Sequence, residues 1–350
     1  MITEEQVREA LQSIEDPDLG KPIVETGGIR SISVKDDSKV RLKIALAKTG
    51  TPEQMQMQQQ VVDTIKEAGA DSVGLRFETL EPEEVEKAGG LKGEEGPKIL
   101  SEDNKTQFIT IASGKGGVGK STVTVNTAVA LARAGKKVGI IDADIYGFSV
   151  PDMMGIEERP KVQDERIYPV ERFGVKVISM GFFVEDNAPV VWRGPMLGKM
   201  LNNFFNEVEW GDLDYLLLDL PPGTGDVALD VHTTLPESQE IIVTTPHPTA
   251  AFVAARAGAM AIKTNHRVLG IIENMAYYES RSGEKEYVFG EGGADRLSDE
   301  LKVGILSRIP LGQPLEDDSV FAPSVYQPEH PIGELYDELA STIMNKVPVE

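Results

Sequence analysis

Apolar positions recur at helical spacing at the start of the chain and then switch to alternation. Thr3 with Gln6 makes a capping-box pair, and Val7, Leu11 and Ile14 follow three or four residues apart, which predicts a helix over residues 3–15. In 40–46, Val40, Leu42, Ile44 and Leu46 alternate with Arg41, Lys43 and Ala45, the pattern of a half-buried strand. Residues 29–34 alternate only at Ile32 and Val34, with Ile29 expected on the opposite face, and the two runs fit a hairpin. Pro52 suits a helix's first turn and opens a second helix carrying Met55, Val62 and Ile65 toward Gly69. Val73, Leu75 and Phe77 alternate as a third strand. The order α-β-β-α-β predicts a small α+β domain over residues 1–80.

Residues 81–104 hold Gly89, Gly90, Gly93 and Gly96 among many glutamates and no sustained period, which predicts a linker. From Lys105 to the end, β-type runs at 108–112, 138–141, 175–179, 215–218, 241–244 and 268–272 alternate with helical patterns. Such alternation predicts an α/β domain over 105–350, with a mostly parallel sheet and helices flanking both faces. Leu335, Leu339 and Ile343 in 332–347 mark a packed domain helix rather than a membrane anchor.

Composition narrows the function. The chain has 350 residues, 40% of them hydrophobic, enough for a core in each of two domains. No run of 18 apolar residues occurs and the first residues are acidic, so neither a membrane span nor a signal peptide is expected, and a cytoplasmic location is. Asp and Glu number 57 against 35 Lys and Arg, a formal charge of −22. That balance disfavours non-specific nucleic-acid binding, which needs a basic footprint, and reads as an acidic, halophile-type surface. Cysteine is absent, so there is no disulfide, no thiol nucleophile and no thiolate to hold zinc or an iron–sulfur cluster.

The chemistry is concentrated in Gly114-Lys115-Gly116-Gly117-Val118-Gly119-Lys120-Ser121-Thr122, between the run 108–112 and a helix expected over 122–134. Glycines let backbone N–H groups converge on phosphate oxygens, and the helix N-terminus adds positive potential. Lys120 is expected on the β and γ phosphates of ATP and the Ser121 hydroxyl on Mg²⁺. Asp219 ends the run 215–218, where a carboxylate meets Mg²⁺. The loop Pro221-Pro222-Gly223-Thr224-Gly225-Asp226 follows, suited to sensing a γ-phosphate. Asp142 and Asp144 end another run, and Asp144 is the favoured group to orient the attacking water.

With Lys115 two residues after Ser113, the loop is similar to the deviant Walker A of the ParA/MinD ATPases. The resemblance implies that Lys115 reaches across a nucleotide-sandwich homodimer to the partner's phosphates. Asp142-Ala143-Asp144-Ile145-Tyr146-Gly147, Trp192-Arg193-Gly194-Pro195-Met196, the motif from Asp219 to Asp226, and Glu273-Asn274-Met275 together resemble the Mrp family of ATP-dependent iron–sulfur cluster carriers. The first domain resembles the iron–sulfur-assembly-associated domain often fused before it. By this resemblance Asn274 contacts the adenine, and the partners are apo iron–sulfur proteins or assembly factors.

Two departures stand out. The family usually has Cys-x-x-Cys after its Glu-Asn-Met, where this chain reads Glu279-Ser280-Arg281-Ser282-Gly283, and Thr51 stands in place of the small domain's usual cysteine. Phe148 replaces a frequent proline. Glu279 and the four histidines could in principle bind iron, but scattered histidines more often serve the surface or packing. The expectation is therefore a Mg-ATP-dependent dimeric switch in iron–sulfur assembly. An adaptor that never ligates a cluster is one alternative. A ParA/MinD-like positioning ATPase is another, for which a basic patch or terminal amphipathic helix would be needed.

Overall fold

The computed structural model describes residues 2–34, 38–88, 99–101, 103–144, 147–163, 166–183, 194–280, 282–314 and 323–349. Ile145, Tyr146, Trp192, Arg193, Arg281 and residues 89–98 and 102 of the expected linker lie outside that set. The chain divides into two units, Met1–Gly96 and Pro97–Glu350.

In the first unit α1 (Glu4–Ala10) carries the expected capping box, in which Thr3 and Gln6 bond reciprocally. It is shorter than its apolar spacing predicts: the chain passes through a 3₁₀ turn, Leu11–Ser13, and Ile14 is extended. The cause is Asp16, whose buried carboxylate accepts the N–H groups of Asp18, Leu19 and Ala47 at 2.9, 3.2 and 2.9 Å. A buried carboxylate needs such donors, and a continued helix would not bring them together.

β1 (Ile29–Val34) and β2 (Lys39–Leu46) form the antiparallel pair, and β3 (Ser72–Thr79) adds in parallel to β2. Ile29 is opposite Ile44, Ser31 opposite Lys43, Ile32 opposite Leu42 and Val34 opposite Val40. The extra residue, Arg30, makes a bulge. The bulge corrects the expectation for Ile29, turning it onto the same face as Ile32 and Val34, against the small core. Arg30 is thrown outward, where its guanidinium grips Glu84 at 2.8 and 2.5 Å and Glu78 at 3.2 Å.

α2 (Pro52–Glu67) starts on Thr51, which caps it by accepting the Gln54 N–H. Its inward row is Met57, Val61 and Ile65, while Met55 is 69% exposed. Met55 lies about 200° of helical turn from Met57, so the i, i+4 row through Val61 and Ile65 leaves it in solvent. Glu84 belongs to α3 (Pro82–Lys87), a helix within the stretch read as linker, and Lys21 donates to the Ala88 carbonyl at 2.7 Å.

Among the described residues the second unit is built on a nine-stranded sheet, with a separate small hairpin of Lys161–Gln163 against Arg166–Tyr168. In chain order the elements of and around the large sheet are β4 (Gln107–Ser113), α4 (Lys120–Arg133), β5 (Val138–Asp142), α5 (Val150–Met154), β6 (Val170–Arg172), β7 (Val175–Ser179), α6 (Gly194–Asn206), β8 (Tyr215–Asp219) and α7 (Asp226–Thr234). Then come β9 (Gln239–Thr244), α8 (Pro248–Lys263), β10 (Arg267–Glu279), β11 (Lys285–Glu286), α9 (Gly293–Leu301), β12 (Ile305–Leu311) and α10 (Pro331–Lys346). The sheet runs β6-β7-β5-β8-β4-β9-β10-β11, with β12 also beside β10; the short β6 and β11 are antiparallel and the rest parallel. All six expected strands are present.

Adjacent residues of one strand serve two cores, as a sheet covered on both faces demands. Leu216 and Leu218 pack in one core, beneath α6, α7 and α8. Tyr215 and Leu217 pack in the other, beneath α4 and α10. Ile332, Tyr336, Leu339 and Ile343 form the buried face of α10, as a packed domain helix requires. Among the described residues no helix is long and apolar enough to cross a membrane.

Candidate nucleotide site

Parallel strands end together, so the residues at their C-terminal ends meet. Asp219 is in register with Asp142, and Asp142 with Ser179, on adjacent strands. β4 ends beside them at Ser113 and turns directly into the glycine-rich loop, which α4 continues. Gly117 and Gly119 have φ of +78° and +80°, a conformation that favours glycine. At Gly119 there is a second reason: a Cβ would collide with the Asn274 carboxamide.

A cleft of about 620 Å³ opens over the loop. Lys115, Gly116, Gly117, Gly119, Lys120 and Ser121 line one side, Asp144, Gly147, Ser149 and Met153 another, and Pro221, Pro222, Gly225, Asp226 and Val227 a third. Gly223 donates its N–H to the Ser113 carbonyl at 2.8 Å, tying that third wall to the loop. The residues singled out from sequence at 114–122, Asp144 and Asp219 are thus gathered in one place.

At its floor the charges are paired closely. Lys120 Nζ lies 2.8 Å from Asp219 Oδ2 and 3.7 Å from Asp144 Oδ2. The Ser121 hydroxyl donates to Asp219 Oδ2 at 2.5 Å, and Thr124 donates to Oδ1 at 2.6 Å. Burial pushes the Asp144 carboxyl above its usual range, with nearby Lys120 pulling against that and Asp219 adding to it.

Asp142 is occupied differently. Fully buried, it accepts the N–H groups of Ser149 and Val150 at 3.2 Å, the Ser179 hydroxyl at 3.0 Å and the Asp144 N–H at 3.3 Å. It fastens the start of α5 to the sheet. Burial, and then the charge of Asp219 alongside, raise its carboxyl to about 7.

Lys115 is exposed, its carbonyl held by the Ser113 hydroxyl at 3.1 Å. It also lines a second hollow, of about 300 Å³, with Val118, His247, Thr249, Met275 and Phe289. Asn274 lies under the loop and donates Nδ2–H to the Val118 carbonyl at 2.9 Å. Its neighbour Glu273 is buried and spends both oxygens on structure, accepting the Ala294 N–H at the start of α9 and the Arg308 Nε–H of β12.

Sequence reasoning passed over Thr124, Ser179 and the clamp by Glu273. Thr124 had one signal: it follows Lys120 by four residues and so shares its helical face. Phe148 packs against Gly181, where a Cβ would meet its ring at 2.6 Å. The histidines are structural. His247 and His330 cap α8 and α10, and His232 and His266 stack at 4.2 Å in the interior, with His232 against Glu240. Where the cysteines were expected, Ser280 and Ser282 bond to each other at 2.8 Å and Ser280 accepts the Glu284 N–H, closing the β10–β11 turn.

A glycine-rich loop between a central parallel strand and a helix, with a lysine at its end and an aspartate on the next strand, defines a P-loop NTPase. Comparison with known proteins carries the assignment further. Residues 104–344 match the model of the NUBPL iron-transfer P-loop NTPases, and residues 4–74 that of an iron–sulfur cluster assembly protein domain. The chain belongs to this iron-transfer P-loop NTPase family. It is 62% identical over 352 residues to the iron-sulfur cluster carrier protein of Bacillus subtilis, covering 100% of both chains. With that of Mycobacterium tuberculosis it shares 40%, over 97% of this chain and 93% of the other.

Among solved structures, the nucleotide-binding protein of Archaeoglobus fulgidus in complex with ADP shares 40% identity, with a TM-score of 0.52 over 67% of this chain and 87% of that one. The cell division ATPase MinD of Pyrococcus furiosus, 23% identical, shares the fold with a TM-score of 0.50 over 69% of this chain and 99% of its own.

Proposed function

We propose that this chain is a Mg²⁺-dependent ATPase that works as a homodimeric switch in iron–sulfur cluster assembly, acting on apo iron–sulfur proteins or their assembly factors. The observation that carries the reading is the meeting of Lys120, Ser121 and Asp219 beneath the loop. The names of its relatives, iron-sulfur cluster carrier proteins, supply the process, and the ADP held by the Archaeoglobus protein supports the nucleotide.

The donor set fits Mg²⁺. Ser121, which lines the cleft, places its Oγ against Oδ2 of buried Asp219 beneath it, an all-oxygen pair. Among the described residues no group of three or more His, Cys, Asp or Glu is placed to hold a metal alone. A site with few protein oxygens, completed by phosphates and water, is what a small, strongly hydrated cation takes. When bound, the ion neutralises phosphate charge.

The protein groups divide the remaining work. The N–H groups of 114–122 cradle phosphate oxygens, and Lys120 turns from Asp219 to the β and γ phosphates. Asp144, whose burial raises its affinity for a proton, orients the attacking water and takes its proton as the bond to the γ-phosphorus forms and the bond to the ADP oxygen breaks. That proton passes to the phosphate released. Asp142 holds α5 and the segment bearing Asp144 in place. Lys115, exposed beside the cleft, reaches a partner copy's phosphates, and Asn274, beneath the loop, serves the bound nucleotide.

One observation favours a particular form of this function. The chain has no cysteine, and the serines of the β10–β11 turn satisfy each other. Thiolates are the ordinary ligands of iron–sulfur clusters, so the switch acts as an ATP-driven adaptor rather than as the cluster's ligand.

The test is anaerobic reconstitution with iron and sulfide, iron analysis of the desalted protein, and ATPase assay of the same sample. ATPase activity without retained iron is the expected result. Stoichiometric cluster retention would overturn the adaptor form, and absence of ATP hydrolysis would overturn the reading as a whole.

A further inference from the structure

The Thr124 hydroxyl has two acceptors within reach. One is the Lys120 carbonyl at 3.0 Å, the bond a helical threonine ordinarily makes to its own backbone. The other is Asp219 Oδ1 at 2.6 Å, across 95 residues of sequence. A hydroxyl carries a single hydrogen, and the shorter, charge-assisted contact holds it.

The two oxygens of Asp219 are therefore divided. Oδ2 faces Ser121 and Lys120, the two groups that turn to metal and nucleotide in the proposed reaction. Oδ1 faces Thr124, which has no other task at the site. Among the described residues, the side chains on this carboxylate are Ser121 and Thr124, whose hydroxyls donate to it, and Lys120, whose ammonium pairs with it as an ion 2.8 Å away. Nearby Ala143 directs its N–H to the Asp219 main-chain carbonyl instead. Asp142, in register on the next strand, spends its oxygens on Asp144, Ser149, Val150 and Ser179. Once Ser121 and Lys120 turn away, Thr124 is the one partner left, and a carboxylate's terminal torsion is otherwise broad and two-fold.

We propose that Thr124 is a positioning residue for the metal: by fixing Oδ1 it keeps Oδ2 aimed at the Mg²⁺ position while Lys120 engages the nucleotide and Ser121 the metal. This rests on the Mg²⁺-ATP reading of the site.

The experiment uses the full chain with Thr124→Val, which keeps the shape and removes the hydroxyl, and Thr124→Ser, which keeps the hydroxyl. Binding of a fluorescent ADP analogue is titrated with and without Mg²⁺, and Mn²⁺ binding to the ADP complex is followed by electron paramagnetic resonance. Thr124→Val is expected to weaken the metal step about 10–100-fold, the usual cost of removing a group that orients a metal ligand, with metal-free ADP binding unchanged. Thr124→Ser is expected to restore it.

Equal loss of metal-free and metal-dependent binding would reduce Thr124 to a packing residue and overturn the proposal. So would an unchanged metal constant in Thr124→Val, or a Thr124→Ser that behaves like it. If circular dichroism shows Thr124→Val unfolded, Thr124→Ala puts the same question with no methyl pressed on the carboxylate. A wild-type chain whose ADP binding ignores Mg²⁺ would overturn the reading of the site itself, an outcome distinct from a Thr124 effect.

Discussion

Lys120 and Asp219 form a buried ion pair, 2.8 Å from ammonium to carboxylate, at the bottom of the nucleotide cleft. In the proposed reaction the lysine that meets phosphate is thus held, in the nucleotide-free chain, by the carboxylate that meets metal, and nucleotide must draw the two apart. Breaking a buried pair by removing one partner costs roughly 3–5 kcal/mol. Here Ser121 and Thr124 remain on the carboxylate, so Lys120→Ala should cost the nucleotide-free protein less, about 1–3 kcal/mol. It should also abolish hydrolysis. Chemical denaturation of the larger unit and a phosphate-release assay check the two expectations, and a Lys120→Ala protein with undiminished turnover would refute the role given to the lysine.

Lys115 contrasts with Lys120: exposed, near the same loop, and therefore available to a second molecule. Lys115→Ala should leave stability within about 0.5 kcal/mol, as for a surface change away from packed features. ATP binding by the single protomer should persist while turnover falls. Nucleotide titration and sedimentation with and without a non-hydrolysable ATP analogue separate these effects. If Lys115→Ala turns over ATP at the wild-type rate, the lysine has no part in the reaction.

How far such roles could be read from sequence follows from the range of the interactions. The glycine-rich loop, the strand endings at Asp142 and Asp219, and the six parallel strands rest on neighbouring residues, and each was legible. The inward row of α2 was not, because the choice between Met55 and Met57 depends on which side meets the sheet. Nor was the bulge at Arg30, whose reward is an ion pair with Glu84, 54 residues on. Glu273 is the clearest instance: a glutamate inside a recognisable motif whose work is to join β10 to Arg308 and to the start of α9.

Asn274 supports the loop through a single bond to the Val118 carbonyl, against a glycine that has no room for a side chain. Removing the amide leaves that carbonyl without its partner, a loss of about 1–3 kcal/mol for a buried group. Asn274→Ala should therefore weaken ATP binding about 5- to 150-fold, with Asn274→Asp no better, since a carboxylate cannot donate to a carbonyl. Calorimetric titration with ATP measures both. Full affinity in either variant would remove Asn274 from the nucleotide site.

Asp142 gives the protein a pH dependence of definite sign. Its carboxyl stands near 7 in the folded chain, through burial and the neighbouring Asp219 charge, against about 3.9 when unfolded. Between those values the native state holds a proton that the unfolded chain has released, so stability falls as pH rises. The contribution is complete below about pH 4 and gone above about pH 7. Glu84 acts oppositely and elsewhere: Arg30 holds its carboxyl down to about 2, so its contribution is lost only as pH falls below about 4.5. The melting temperature of the nucleotide-free larger unit should thus decline by a few degrees from pH 5.5 to 8. Asp142→Asn keeps an oxygen for the Ser149 and Val150 N–H groups but carries no titratable proton, and it should flatten that decline whatever it does to the absolute value. Melting curves across the interval, wild type beside variant, decide the matter: an equal slope in both would place the proton on another group.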